Sequence, residues 1–83
     1  FTKSLAREVG QLGINVNAVA PGFVDTEMTA SLQDDHRSTI ARRSALKRLP
    51  EIVDIANAVE FLMGEKSRNI TGTVMTVDAG GTA

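Results

Sequence analysis

The sequence predicts an α/β fold built on a parallel sheet, and three observations carry that prediction. Apolar residues recur at helical spacing over residues 50–63: Ile52, Ile55, Ala56, Val59, Leu62 and Met63. Two stretches with strand character flank this helix, over residues 14–20 and 70–77. Two strands joined through a helix pair in parallel, with a right-handed crossover. A parallel sheet needs helices on both faces, and two strands are too few to stand alone. The pattern therefore calls for more sheet than these 83 residues supply.

The helical pattern is already running at the first residue. Phe1, Leu5, Val9 and Leu12 share one face, and no capping residue precedes them. A helix without a start is what a chain cut from a longer one would show. Gly10 weakens its last turn, and Gly13 stops it because a left-handed residue costs glycine little. In residues 14–20, Ile14, Val16, Ala18 and Ala20 alternate with Asn15, Asn17 and Val19, and Pro21-Gly22 ends the strand. A loop follows. Asp25 or Thr26 can cap a short helix near residues 27–32, and Asp34 a second near 35–44. Ile40 is the only large apolar residue between Gln33 and Ala45, so residues 26–49 read as a weakly packed excursion able to move. Pro50 suits the first position of the next helix, and Gly64 stops that helix. Gly72 interrupts the second strand, and Asp78-Ala79-Gly80-Gly81 forms a glycine-rich tail.

Composition narrows the function classes. Hydrophobic residues make up 42% of the chain, which argues against disorder along its length. A net charge of -1, with Lys and Arg dispersed, gives no electrostatic case for nucleic acid or an anionic membrane as a partner. The absence of cysteine excludes disulfides and thiolate metal sites, and no metal is expected. No apolar run approaches the roughly 20 residues that span a bilayer, and no secretory signal is visible.

The stretch Ile14-Asn15-Val16-Asn17-Ala18-Val19-Ala20-Pro21-Gly22-Phe23-Val24-Asp25-Thr26-Glu27-Met28 resembles the segment after the catalytic helix in classical short-chain dehydrogenases/reductases. Their pattern there is Asn-x-Val/Ile-x-Pro-Gly, then an apolar residue and a threonine. Leu5-Ala6-Arg7-Glu8 is similar to the end of that helix, and Ile55-Ala56-Asn57-Ala58-Val59-Glu60-Phe61-Leu62 to the last large helix. Ile70-Thr71-Gly72, Val77-Asp78 and Gly80-Gly81 look like the final strand and tail. Four motifs in order cover essentially the whole chain.

The resemblance implies the C-terminal part of a Rossmann-type doubly wound parallel sheet with a helical substrate-lid excursion. Residues 1–83 would be the C-terminal third of a single NAD(P)-binding domain, with 26–49 as the lid. It implies an oxidoreductase using NADP or NAD, moving hydride between the nicotinamide and a carbonyl or secondary alcohol. Thr26 to Leu32 and Asp34-Asp35 look most like 3-oxoacyl-[acyl-carrier-protein] reductases of fatty-acid synthesis. Leu12 where those reductases often have a basic residue, Ala79 where the family usually has glycine, and the short Arg48-Leu49-Pro50 depart from the pattern. A sugar alcohol, a steroid or 3-hydroxybutyrate are alternative substrates, and a non-catalytic association module is an alternative of another class.

The candidate cofactor-binding residues are Pro21, Gly22, Val24 and Thr26. A Pro-Gly turn at a strand end exposes backbone at the carboxyl edge, where open α/β sheets bind cofactors. Gly22 has no side chain to obstruct a flat nicotinamide ring. The resemblance implies that the Val24 backbone holds the carboxamide and that Thr26 bonds a cofactor phosphate; a hydroxyl at a helix start suits an anion. Taken singly, Pro21-Gly22 is a strand-ending turn and Thr26 a helix cap. Asn17 reads as structural and His36 as a solvated surface residue. Arg42, Arg43, Lys47 and Arg48 read as a solvated lid face rather than a carrier-protein contact.

No catalytic residue is assigned. Lys3 does not match the family's catalytic lysine, and neither the catalytic Ser nor the Tyr-x-x-x-Lys pair is present in a chain that has no tyrosine. These residues alone are expected to be inactive. They are also expected not to fold alone as a cooperative monomer, because burying side chains such as Phe1, Leu5 and Val9 is worth roughly 1.5–3 kcal/mol each. The resemblance further implies a cytoplasmic homo-tetramer, associating through the first helix, the residue 50–63 helix and the last strand.

Overall fold

A computed structural model of the chain describes residues 1–25 and 34–83, with the side chains of residues 34 and 35 left aside. Its elements are α1 (Thr2–Val9), β1 (Ala18–Pro21), α2 (Asp34–Arg43), α3 (Ile52–Met63) and β2 (Val74–Val77). β1 and β2 are parallel neighbours, with Ala18 opposite Val74 and Pro21 opposite Val77. α3 packs across both strands. The parallel pairing and the crossover helix are those that the apolar pattern predicts.

α1 ends where the glycines end it. The α-helix gives way at Gly10 to a single 3-10 turn, Gly10–Leu12. Gly13 then turns left-handed, at φ 75, and donates its N–H to the Gly10 carbonyl. α2 matches the helix expected after Asp34, whereas the short helix expected over residues 27–32 lies outside the described residues.

Both strands are shorter than the alternation suggests. β1 starts at Ala18 rather than Ile14, and β2 is Val74–Val77, the part that follows the expected break at Gly72. The two segments do run side by side before that point, but side chains replace the ladder. Asn15 donates to the Arg68 carbonyl at 2.9 Å, and the Val16 N–H donates to the Thr71 hydroxyl at 2.9 Å. Asn17 donates to the Ile70 carbonyl at 3.0 Å and accepts from the Thr73 N–H at 3.1 Å. The left-handed Gly72, at φ 74, breaks the period-two geometry while its N–H reaches the Val16 carbonyl at 2.8 Å. Asn17 is thus structural, as its sequence context suggests. Asn17→Ala strips partners from one carbonyl and one amide in a part-buried seam. Each such orphan costs about 1–3 kcal/mol, so a loss of about 2 kcal/mol is expected in urea unfolding of the protein carrying these residues. An unchanged midpoint would reduce Asn17 to a bystander.

α3 starts two residues later than expected. Pro50 precedes the N-cap instead of occupying the first helical position, because its carbonyl is committed to the Asp25 N–H at 2.8 Å. Asp25 and Glu51 form an isolated parallel bridge, which keeps the chain extended through Glu51. Glu51 then caps the helix, its N–H donating to the Asp54 carboxylate at 2.8 Å. At the other end the buried Ser67 hydroxyl lies 3.0 Å from the carbonyls of both Leu62 and Gly64.

Ala6 and Pro50 are the buried apolar residues among those described. Phe1 is 96% exposed, Met63 82%, Leu12 70% and Ile52 62%. Apolar side chains on β2, on α3 and at the two ends of α1 therefore stand uncovered, as expected of a sheet that needs neighbours.

Candidate functional site

The site is built at the carboxyl ends of β1 and β2. Pro21 closes β1, and the Gly22 N–H continues the ladder by one bond to the Val77 carbonyl, at 3.1 Å. Both residues are exposed at this edge. A Cβ at position 22 would stand 2.6 Å from the Asp78 Cβ and 3.2 Å from its Cα. The close neighbour that requires glycine here is therefore Asp78 of the chain itself, and the exposed side of the residue is what a ligand could use. This is a further demand for glycine here, beside the room for a flat ring expected from its sequence context.

Val24 is half-buried in the loop that follows. Asp25 ties that loop to α2 and to the segment before α3: its N–H bonds the Pro50 carbonyl, and its carboxylate pairs with the Arg37 guanidinium on α2. Pro21, Gly22 and Val24 thus sit together at the strand edge, while Thr26 lies outside the described residues. The cationic residues are placed as anticipated. Arg42, Arg43, Lys47, Arg48 and His36 are exposed, and Lys3 donates to the Gly72 carbonyl at 2.8 Å, a structural contact.

Sequence reasoning passed over Asp78 and Thr82. The Asp78 carboxylate accepts from the Gly80 N–H at 2.9 Å, the Thr82 N–H at 3.0 Å and the Thr82 hydroxyl at 2.8 Å. The Thr82 hydroxyl, followed by the backbone donors of Gly80, Thr82 and Gly81, holds this carboxyl below the usual Asp range against the opposing effect of desolvation. The tail so folded meets the segment after α2. The Leu46 N–H donates to the Ala79 carbonyl at 2.9 Å, and the Ala45 N–H to the Gly80 carbonyl at 3.3 Å. Between tail and helix lies a cleft of about 230 Å³, with Gly22, Phe23, Ile40, Leu49, Gly81 and Thr82 among its walls. The available signal was the Asp-x-Gly-Gly-Thr pattern, in which aspartate commonly bonds backbone two residues on.

Two parallel strands, a crossover helix and a Pro-Gly turn opening at the carboxyl edge define a Rossmann-type α/β chain. Among the described residues no group of acidic residues or histidines is arranged to hold a metal, and no helix is long and apolar enough to cross a membrane. A family model described as Enoyl-(Acyl carrier protein) reductase matches residues 1–82, and the chain belongs to the short-chain dehydrogenase/reductase family. It is 49% identical over 80 residues to the 3-oxoacyl-[acyl-carrier-protein] reductase FabG of Escherichia coli, covering 96% of this chain and 33% of the relative. The crystal structure of a 3-oxoacyl-[acyl-carrier protein] reductase from Brucella melitensis superposes with a TM-score of 0.93 at 32% identity, over 96% of this chain and 30% of that one. A candidate gluconate dehydrogenase from Agrobacterium tumefaciens superposes with a TM-score of 0.89 at 27% identity, over 99% of this chain and 33% of that one. The chain spans about a third of the length of these relatives.

Proposed function

We propose that this chain forms the carboxyl-edge part of the nicotinamide site in an NAD(P)-dependent 3-oxoacyl-[acyl-carrier-protein] reductase. The observation that carries this reading is the exposed Pro21-Gly22 turn at the end of the parallel strands, on a chain 49% identical to FabG. The bound cofactor, NADP or NAD, supplies or accepts the hydride. The residues of this chain position it: Pro21 and Gly22 line its edge, backbone at Val24 holds the carboxamide, and Thr26 bonds a phosphate. The fit rests on the exposure of Pro21 and Gly22 and on the anchoring of the loop by Asp25. No residue here takes the acid–base role, which falls to a Tyr-x-x-x-Lys pair elsewhere in the whole protein. The exposed apolar groups of α3 and β2, with Phe1 and Leu12 flanking α1, support association of four copies through those elements, in addition to contact with further sheet. The reading places the enzyme in the cytoplasm.

The test is NADPH and NADH oxidation by the whole protein with an acetoacetyl carrier-protein thioester, with gluconate and NADP or NAD run in the oxidative direction. Thioester reduction is expected. Turnover of gluconate alone would favour the second reading, a sugar-acid dehydrogenase, which the Agrobacterium neighbour supports. Thr26→Ala is expected to weaken cofactor binding by about 1 kcal/mol, one hydrogen bond's net worth, in a fluorescence titration. Equal dissociation constants would leave Thr26 a helix cap only.

A further inference from the structure

We propose that the C-terminal tail is a latch: Asp78 and Thr82 fold it so that the Ala79 and Gly80 carbonyls seat Ala45 and Leu46, and this seat sets the width of the cleft that holds the substrate's acyl chain. The identity of the occupant rests on the reductase reading above; the latch itself rests on geometry.

The tail has a conformation that backbone preference alone disfavours. Ala79 and Gly80 are successive left-handed residues, at φ 56 and φ 82. Alanine rarely adopts that region without external support. The support is the Asp78 carboxylate, which gathers three donors from Gly80 and Thr82. In this conformation the Ala79 carbonyl points away from the tail's own turn and meets the Leu46 amide at 2.9 Å, while the Gly80 carbonyl accepts from the Ala83 N–H at 3.2 Å and from the Ala45 amide at 3.3 Å. The seat is tight, since a Cβ on Gly80 would stand 2.5 Å from the Ala45 Cβ.

The two sides of the latch are also two walls of the cleft. Gly81 and Thr82 line it from the tail, Leu49 from the segment the tail holds, and Ile40 from α2 just before that segment. Phe23 lines it beside Gly22, at the strand edge. Opening the seat therefore moves one wall from the other and leaves the strand edge in place. Asp78 and Thr82 are positioning residues in this arrangement. Their pairing acts on the substrate through the segment after α2, although both residues also border the cleft.

The experiment compares the whole wild-type protein with Thr82→Val and Asp78→Asn. Thr82→Val removes one donor to the carboxylate at almost constant volume, and serves if Asp78→Asn fails to fold. Amide hydrogen exchange at Leu46 is expected to speed up about tenfold in either variant. The KM for a 3-oxododecanoyl thioester is expected to rise about fivefold, more than that for an acetoacetyl thioester, with the KM for the nicotinamide cofactor unchanged. Unchanged exchange at Leu46 would overturn the proposal, as would a joint rise in the cofactor and thioester KM values, the mark of general loosening. A wild-type protein that reduces no thioester would instead refute the reductase reading, and the exchange comparison would then decide the latch alone.

Discussion

Gly80→Ala is expected to destabilise the protein by about 3 kcal/mol, through two separable costs. The first is backbone strain. Gly80 sits at φ +82, and holding an L-residue in the left-handed region costs about 1–2 kcal/mol. The second is steric. The new methyl would lie 2.5 Å from the Ala45 Cβ, 3.2 Å from its N and 3.4 Å from its Cα. These are backbone and Cβ atoms, which cannot rotate aside, and overpacking of this kind costs about 1–3 kcal/mol. A double-mutant cycle separates the two: adding Ala45→Gly should recover the steric part and leave the strain. Ala79→Gly is the control, because at φ 56 glycine relieves strain and a neutral or slightly stabilising effect is expected. Thermal melting of the wild type, the two single variants of the cycle, the double variant and Ala79→Gly decides the matter, and a Gly80→Ala midpoint equal to wild type would contradict it.

Gly22→Ala is expected to cost about 2–3 kcal/mol for a different reason. No left-handed conformation is involved; the obstacle is Asp78, whose Cβ would lie 2.6 Å from the new methyl. Relief requires moving Asp78 away from the strand end, which breaks the bond from the Gly22 N–H to the Val77 carbonyl and disturbs the three donors on the carboxylate. Strand pairing and tail should therefore loosen together. Urea unfolding measures the stability, and hydrogen exchange at Gly22 and Thr82 reads the local effect. Faster exchange at Gly22 with Thr82 unchanged would show that strand edge and tail are independent.

The apolar pattern was enough to read the parallel pairing and the crossover helix, because both follow from which faces must be covered. It was not enough to read where the strands begin. Alternation makes residues 14–17 look like strand, yet Asn15, Asn17 and Thr71 satisfy the neighbouring backbone with their side chains, so the segments lie together without a regular ladder. Pro50 has the right chemistry for a helix start, but a contact 25 residues away in sequence, the Asp25 N–H on its carbonyl, delays the helix to Ile52. The position of Pro21-Gly22 at the sheet edge was legible from the turn alone. The close approach of Asp78 was not, since that residue lies more than fifty residues away in the chain. Local periodicity does not encode such pairings.

That separation also sets an order of events during synthesis. Asn17 bonds Thr73 across 56 residues, and Ala18 cannot find Val74 until that residue has been made. At about 5–20 residues per second the first strand waits several seconds for its neighbour on the ribosome. Closing so long a loop then costs about 3–4 kcal/mol of chain entropy before any ladder bond repays it. During the wait Ile14, Val16 and Val19 have no strand beside them on this side. A nascent chain in that condition is a natural client for a chaperone that holds extended apolar segments. Slowing translation within α3 should lengthen the exposure, and shortening the α2 segment should reduce it.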